Sequence, residues 1–131
     1  MSQRFYEIEI LDESFEHNGN HYNHSVKVVE YYAQKKIRER YLGWVDTDTL
    51  YDQIDAGQPI HLDNCYVKDF SIAEYKHKRR IDPKETVTVH GLSAKNAFFD
   101  CDAITDFSHI IFDGDVNFDH AIFSHGTLNF I

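Results

Sequence analysis

A mainly β fold, with a second half that coils and a small α/β cap in front of it, follows from three features of this sequence. From Ile60 to Phe130 the chain carries an inward-facing pair of residues every five positions, most clearly in VNFDH, AIFSH and GTLNF over 116–130. Side chains two residues apart share one face of a short strand, and the three remaining residues turn a corner before the next strand begins. In eleven such units, 20 of the 22 first and third positions are Ile, Leu, Val, Phe, Ala or Cys, whereas only 7 of the other 33 are apolar or aromatic. In a chain that is 42% hydrophobic, that contrast separates a buried side from a solvated one. Residues 1–58 lack the period and read as the cap.

The elements follow in order. RFYEIEIL (4–11) alternates Phe5, Glu7 and Glu9 with Tyr6, Ile8 and Ile10, which predicts a strand with one buried face. A polar loop follows, with Asn18-Gly19-Asn20 as its turn. From Ser25, a candidate N-cap, Val28, Val29, Tyr32, Ala33 and Ile37 recur at helical spacing and predict a helix to about Tyr41. Leu50 and Ile54 share one face of a shorter helix expected over 48–56, stopped by Gly57 and Pro59. Such a cap would cover the open edge of the first coil. The units then run IHLDN, CYVKD and FSIAE (60–74), VTVHG, LSAKN and AFFDC (87–101), TDFSH and IIFDG (105–114), and the three of 116–130. The break at 75–86 is expected to be a loop projecting from the coil.

These units resemble those of the pentapeptide-repeat family, which read Ala, then Asp or Asn, then Leu or Phe, then two polar residues. The resemblance covers about 60–130 and is most specific over 105–130, with bulkier first positions than the family favours. It implies a right-handed quadrilateral β-helix, four units to a coil, with coils about 4.8 Å apart. The expected columns are Ile60/Leu62 with Leu92/Ala94 and Val116/Phe118, and Cys65/Val67 with Ala97/Phe99 and Ala121/Phe123. A third holds Phe70/Ile72, Thr105/Phe107 and Gly126/Leu128, and a fourth Val87/Val89 with Ile110/Phe112.

Charge supplies the first functional candidates. With 22 acidic and 13 basic residues the chain carries a net charge of −9 at pH 7. No Lys or Arg follows Lys95, whereas Asp100, Asp102, Asp106, Asp113, Asp115 and Asp119 fall at outward or corner positions. Such a field steers basic partners and disfavours direct nucleic-acid binding. Some pentapeptide-repeat proteins resemble DNA in this way and bind gyrase, so Asp100, Asp106, Asp113, Asp115 and Asp119 are candidate binding residues of an acidic DNA mimic that inhibits a nucleic-acid enzyme such as a topoisomerase. Asp also suits tight corners, where it hydrogen-bonds its own backbone. Opposite charge gathers in Lys76-His77-Lys78-Arg79-Arg80, inside the expected loop. Lys76, Lys78, Arg79 and Arg80 are candidates for contacting phosphate or an acidic partner, helped by Lys35, Lys36, Arg38 and Arg40, or they are a solvated loop that discourages edge pairing.

Nine histidines raise the question of a metal. His17, His21 and His24, with Glu13 and Glu16, are suitable zinc ligands by type, but there is no HExxH and the Asn-Gly turn separates His17 from His21. His109, His120 and His125 each end a unit and should point apart. No metal or other cofactor is expected, and Cys65 and Cys101 are read as reduced thiols. Neither a glycine-rich phosphate loop nor a GxSxG motif occurs, so no catalytic residue is assigned, and a metal-dependent hydrolase of the His-rich cap ranks third. The absence of a long apolar run or leader predicts a soluble cytoplasmic protein without a membrane partner. The chain is expected to be a non-catalytic protein–protein interaction scaffold whose target is unknown. It stops at Leu128-Asn129-Phe130-Ile131, apolar and mid-coil, which suggests a fragment of a longer chain or a homodimer through the C-terminal coil.

Overall fold

Strand-forming sequence dominates the computed structural model, which describes residues 4–17, 19–100, 105–124 and 128–129, with backbone alone at 105–106 and 128–129. Strand β1 (Arg4–Leu11) is followed by a small antiparallel hairpin of β2 (Phe15–His17) and β3 (Asn20–Tyr22), and then by β4 (Ser25–Tyr32) and β5 (Lys35–Val45). The helix expected over 25–41 does not form. SVKVVEYY is rich in β-branched and aromatic side chains that suit a pleated surface. Its helix-like spacing arises because Val29, on the face opposite Val26 and Val28, is buried as they are. Ala33 and Gln34 both take positive φ, 50° and 67°, the backbone of a two-residue hairpin turn, and Ser25 pairs with Gly43 instead of capping a helix. β1, β4 and β5 thus make an antiparallel meander.

Helix α1 (Thr47–Asp55) starts at Asp46, whose carboxylate accepts from Asp48 N at 3.0 Å, and buries Leu50, Tyr51 and Ile54. Short strands β6 (Ile60–His61) and β7 (Cys65–Lys68) lead to helix α2 (Ile72–Arg79). The expected loop at 75–86 is therefore corrected: its first five residues complete α2, as does the end of the unit FSIAE. Ser71 caps α2 by accepting from Glu74 N at 3.3 Å, and Ile72, Tyr75 and Lys76 are buried. The remaining strands are β8 (Val87–Val89), β9 (Leu92–Ser93), β10 (Phe98–Asp100), β11 (Thr105–Asp106), β12 (Ile110–Phe112), β13 (Val116–Asn117), β14 (Ile122–Phe123) and β15 (Leu128–Asn129). No helix among the described residues is long and apolar enough to cross a membrane.

From β6 onward every strand pairing among the described residues is parallel. Ile60 pairs with Leu92 and Leu92 with Val116, Val67 with Phe99 and Phe99 with Phe123, and Val87 with Ile110, all partners anticipated above. The remaining column differs. Ile72 lies in α2, and Thr105 pairs with Leu128 where Gly126, outside the described residues, was expected. A slip of two residues keeps each residue on its own side of a strand, so the in–out pattern alone cannot distinguish the two registers.

The strands separate two cores. On one side Phe99 stacks on Phe123 with ring centres 4.9 Å apart, and Phe107 meets Phe70 at 5.0 Å, within a cluster that also contains Leu50, Leu62, Ile72 and Leu92. On the other side Val26, Val28 and Leu42 of the meander cover Tyr66 and Phe98, joined by Tyr6, Ile8, Trp44 and Ile122. The sheet is continuous across residue 58, because Gly43, Trp44 and Val45 pair with Cys65, Tyr66 and Val67. Gly43 is required by close approach: a Cβ there would lie 2.5 Å from the Tyr22 ring.

Candidate functional site

The basic cluster is drawn into the fold. Lys76 is only 2% exposed and donates to the Pro83 carbonyl at 3.1 Å, so it is removed from the candidate binding surface. Lys78 bonds Asp48 at 2.9 Å and Glu74 at 3.2 Å, which raises its pKa, and its ammonium lies 5.6 Å from the Tyr51 ring centre. Arg79 bonds Asp55 at 2.6 Å and Asp52 at 3.0 Å. The Tyr75 hydroxyl donates to the same Asp55 at 2.5 Å and, with Arg79, holds its carboxyl below the ordinary range against the opposing effect of burial. The C-terminal turn of α1 disfavours the carboxylates of Asp52 and Asp55, and Arg79 offsets that. These charges therefore clasp α2 to α1. Arg80, in left-handed conformation at φ 56°, is exposed and ends α2.

The acidic candidates divide. Asp100 is half-buried and accepts from the Tyr66 hydroxyl at 2.5 Å and from Ser124 Oγ at 3.1 Å, tying β7, β10 and the end of β14 together, so it is not a free outward charge. Asp113, Asp115 and Asp119 are exposed, Asp113 facing His90 Nδ1 at 3.4 Å. The side chain of Asp106, together with Asp102, Cys101, His125 and residues 130–131, lies outside the described residues, and with them the expected C-terminal dimer contact. Asp63, unremarked in the sequence, accepts from Ser93 Oγ at 2.6 Å and Lys95 N at 2.9 Å. Burial opposes its ionisation, but these donors prevail and its pKa is lowered.

The cap histidines go to separate partners: His17 to the Asn64 amide at 2.9 Å, His21 to Glu16 at 3.2 Å and His24 to the Leu11 carbonyl at 3.1 Å. Among the described residues no three His, Cys, Asp or Glu gather in a metal-holding group. Burial pushes the Cys65 thiol up to about 12, so it stays protonated at neutral pH. Tyr22, hydrogen-bonded to it, is raised as well, again chiefly by burial.

Among the described residues, clefts open outside the cores, one of about 260 Å³ lined by Arg38, Arg40, Tyr41, Asn64 and Asn96 and two larger ones. One of about 480 Å³ opens between β3, the end of β5, α1 and β6, and is lined by Tyr22, Trp44, Asp46, Thr49, Gln53 and His61 among others. Gln53 Oε1 is buried there with no hydrogen-bond partner, and no Lys or Arg lines the cleft. The other, about 360 Å³, follows β6, β9 and β13 past His61, His90, Ser93, Lys95, Asp115 and Asn117. His61 lines both.

Sequence reasoning missed Gln53, whose orphaned oxygen has no sequence signature. Arg40, expected to help the basic cluster contact a partner, instead donates to the Asn96 carbonyl at 2.6 Å and has its pKa lowered mainly by burial. Arg40 was placed on an expected helix that is a strand. Comparison with family models, curated proteins and solved structures found no match to this chain.

Proposed function

We propose that residues from about 60 onward form a right-handed quadrilateral β-helix of pentapeptide-repeat type and that the protein is a non-catalytic scaffold for a protein partner. The observation that carries this reading is the parallel register: Leu92 sits between Ile60 and Val116, and Phe99 between Val67 and Phe123, as five-residue units four to a coil require once the breaks at 75–86, 102–104 and Asp115 are set aside. The interior is filled by Phe99, Phe107 and other core side chains, which leaves recognition to outer faces, edges and surface clefts. A cytoplasmic site of action belongs to the same proposal. Affinity capture from a cell extract with the full chain tests it: one stoichiometric protein partner is the expected outcome, and turnover of a substrate by the isolated chain would overturn the non-catalytic assignment.

The exposed Asp113, Asp115 and Asp119, on a stretch devoid of Lys and Arg, favour a second reading as an acidic DNA mimic acting on a topoisomerase. In that case the full chain inhibits DNA supercoiling, and changing all three residues to Asn abolishes inhibition. Because exposed charges are screened, binding through them weakens steeply as salt rises.

A further inference from the structure

β1 lies at one edge of the six-stranded sheet β1-β4-β5-β7-β10-β14. Over its eight residues one side bonds β4 and, among the described residues, the other side bonds no strand. Half of its backbone N–H and C=O groups therefore face outward, and an edge of this length recruits another strand unless something blunts it. Its side chains decide which strand fits. On one face Phe5, Glu7 and Glu9 are exposed, and on the other Tyr6 and Ile8 pack on the meander core while Ile10 remains 55% exposed. Among the described residues no salt bridge holds Glu7 or Glu9. Glu7 accepts a 3.4 Å bond from the Tyr31 hydroxyl, and Lys27, opposite Glu9 on β4, bonds Glu39 at 3.3 Å and feels Glu9 only as a weaker electrostatic neighbour.

A second copy of the chain does not suit this edge in the two registers that pair most of β1. Two-fold pairing of antiparallel β1 strands sets residues of like parity opposite each other. A register centred on Glu7 places Glu7 against itself, and one centred on Ile8 places Glu7 against Glu9. Like charges directly opposite across a ladder are destabilising.

We propose that the β1 edge is a docking site for an extended segment of a protein partner, which adds as a seventh strand and carries Lys or Arg two positions apart opposite Glu7 and Glu9, with an apolar residue between them opposite Ile8. This rests on the scaffold reading and names where its partner binds. Main-chain hydrogen bonds supply affinity, the alternating side chains supply specificity, and the net charge of −9 draws the basic segment in.

The test is amide hydrogen exchange on the full chain with an eight-residue peptide of alternating Lys and Val, and with one of alternating Glu and Val. The Lys–Val peptide is expected to slow exchange of the outward β1 amides by about tenfold or more while the Glu–Val peptide does not. The variant E7K/E9K, altered only at exposed positions, is expected to reverse that preference. Protection by both peptides alike, by neither, or outside β1 overturns the inference, as does β1 protection that rises with protein concentration alone, which would mean a second copy. If E7K/E9K still captures the partner that the unaltered chain captures, the scaffold reading stands and the edge is not its site.

Discussion

Among the described residues, seven that close five-residue units have positive φ: Asn64, Asp69, Gly91, Asn96, His109, Gly114 and His120. The corner after each short strand demands left-handed backbone, which Gly adopts freely, Asn, Asp and His tolerate, and β-branched residues resist. This accounts for the composition of the unit's last position and gives His109 and His120 a conformational role where a metal had been considered. His120→Gly should raise stability by about 1 kcal/mol by removing the Cβ clash at φ 58°, read from the urea midpoint. A midpoint that falls instead would mean that the His120 side chain makes a contact worth more than the strain. Asp63 yields a pH prediction. Its folded-state pKa is depressed, so its contribution is fully present above the unfolded value near about 4 and is lost as pH falls through the folded value. Asp63→Asn should therefore cost about 1–2 kcal/mol at pH 7, with the gap to the unaltered chain closing in acid. A gap that persists once both folded and unfolded carboxyls are protonated would assign the loss to packing instead.

Two elements were misread, and for different reasons. The β4–β5 hairpin turns at Ala33-Gln34, a pair that gives no turn signal because positive φ there ordinarily selects Asn and Gly. With the turn hidden, Val28, Val29, Tyr32 and Ile37 matched a helical face by accident, since Val28 and Val29 lie on opposite faces of β4 and Ile37 belongs to the next strand. Replacing Ala33-Gln34 with Asn-Gly should stabilise the protein by about 1 kcal/mol, measured as a shift in thermal midpoint. A helical segment would lose stability on gaining that glycine, so the sign of the shift discriminates the two conformations. Helix α2, by contrast, was legible. Ser71 and Glu74 form the start signature of a helix, and Ile72 and Tyr75 bury one face, but the same residues also fit one more five-residue unit. The basic run that follows reads as a free loop only while α1 is ignored. Once Asp48, Asp52 and Asp55 face it across the helix pair, most of its charge is already engaged.

At the scale of the molecule, the exceptions to the repeat carried as much information as the repeat itself. Tyr66, Phe98 and Ile122 are apolar at the middle, outward position of their units, and they fall in one ladder, where the meander of β1, β4 and β5 covers them. The period revealed the parallel strands, and these three positions marked the side that something else must cover. What covers it could not be read, because the covering sheet looked like a helix. One wall, β7 and β10, thus serves two cores, with Val67 and Phe99 facing one and Tyr66 and Phe98 the other. The shared strands lead us to expect one cooperative unit in place of an independent cap and repeat, since each core uses side chains of β7 and β10. Phe98→Ala tests this. Phe98 is fully buried, its ring 5.9 Å from that of Tyr66 and 5.0 Å from that of Tyr6. Its truncation should cost about 3–5 kcal/mol. If the chain is one cooperative unit, amides of β4 and of β12 lose protection together by the same factor. Faster exchange confined to β1, β4 and β5, with β8 to β14 unchanged, would establish two separately stable halves instead.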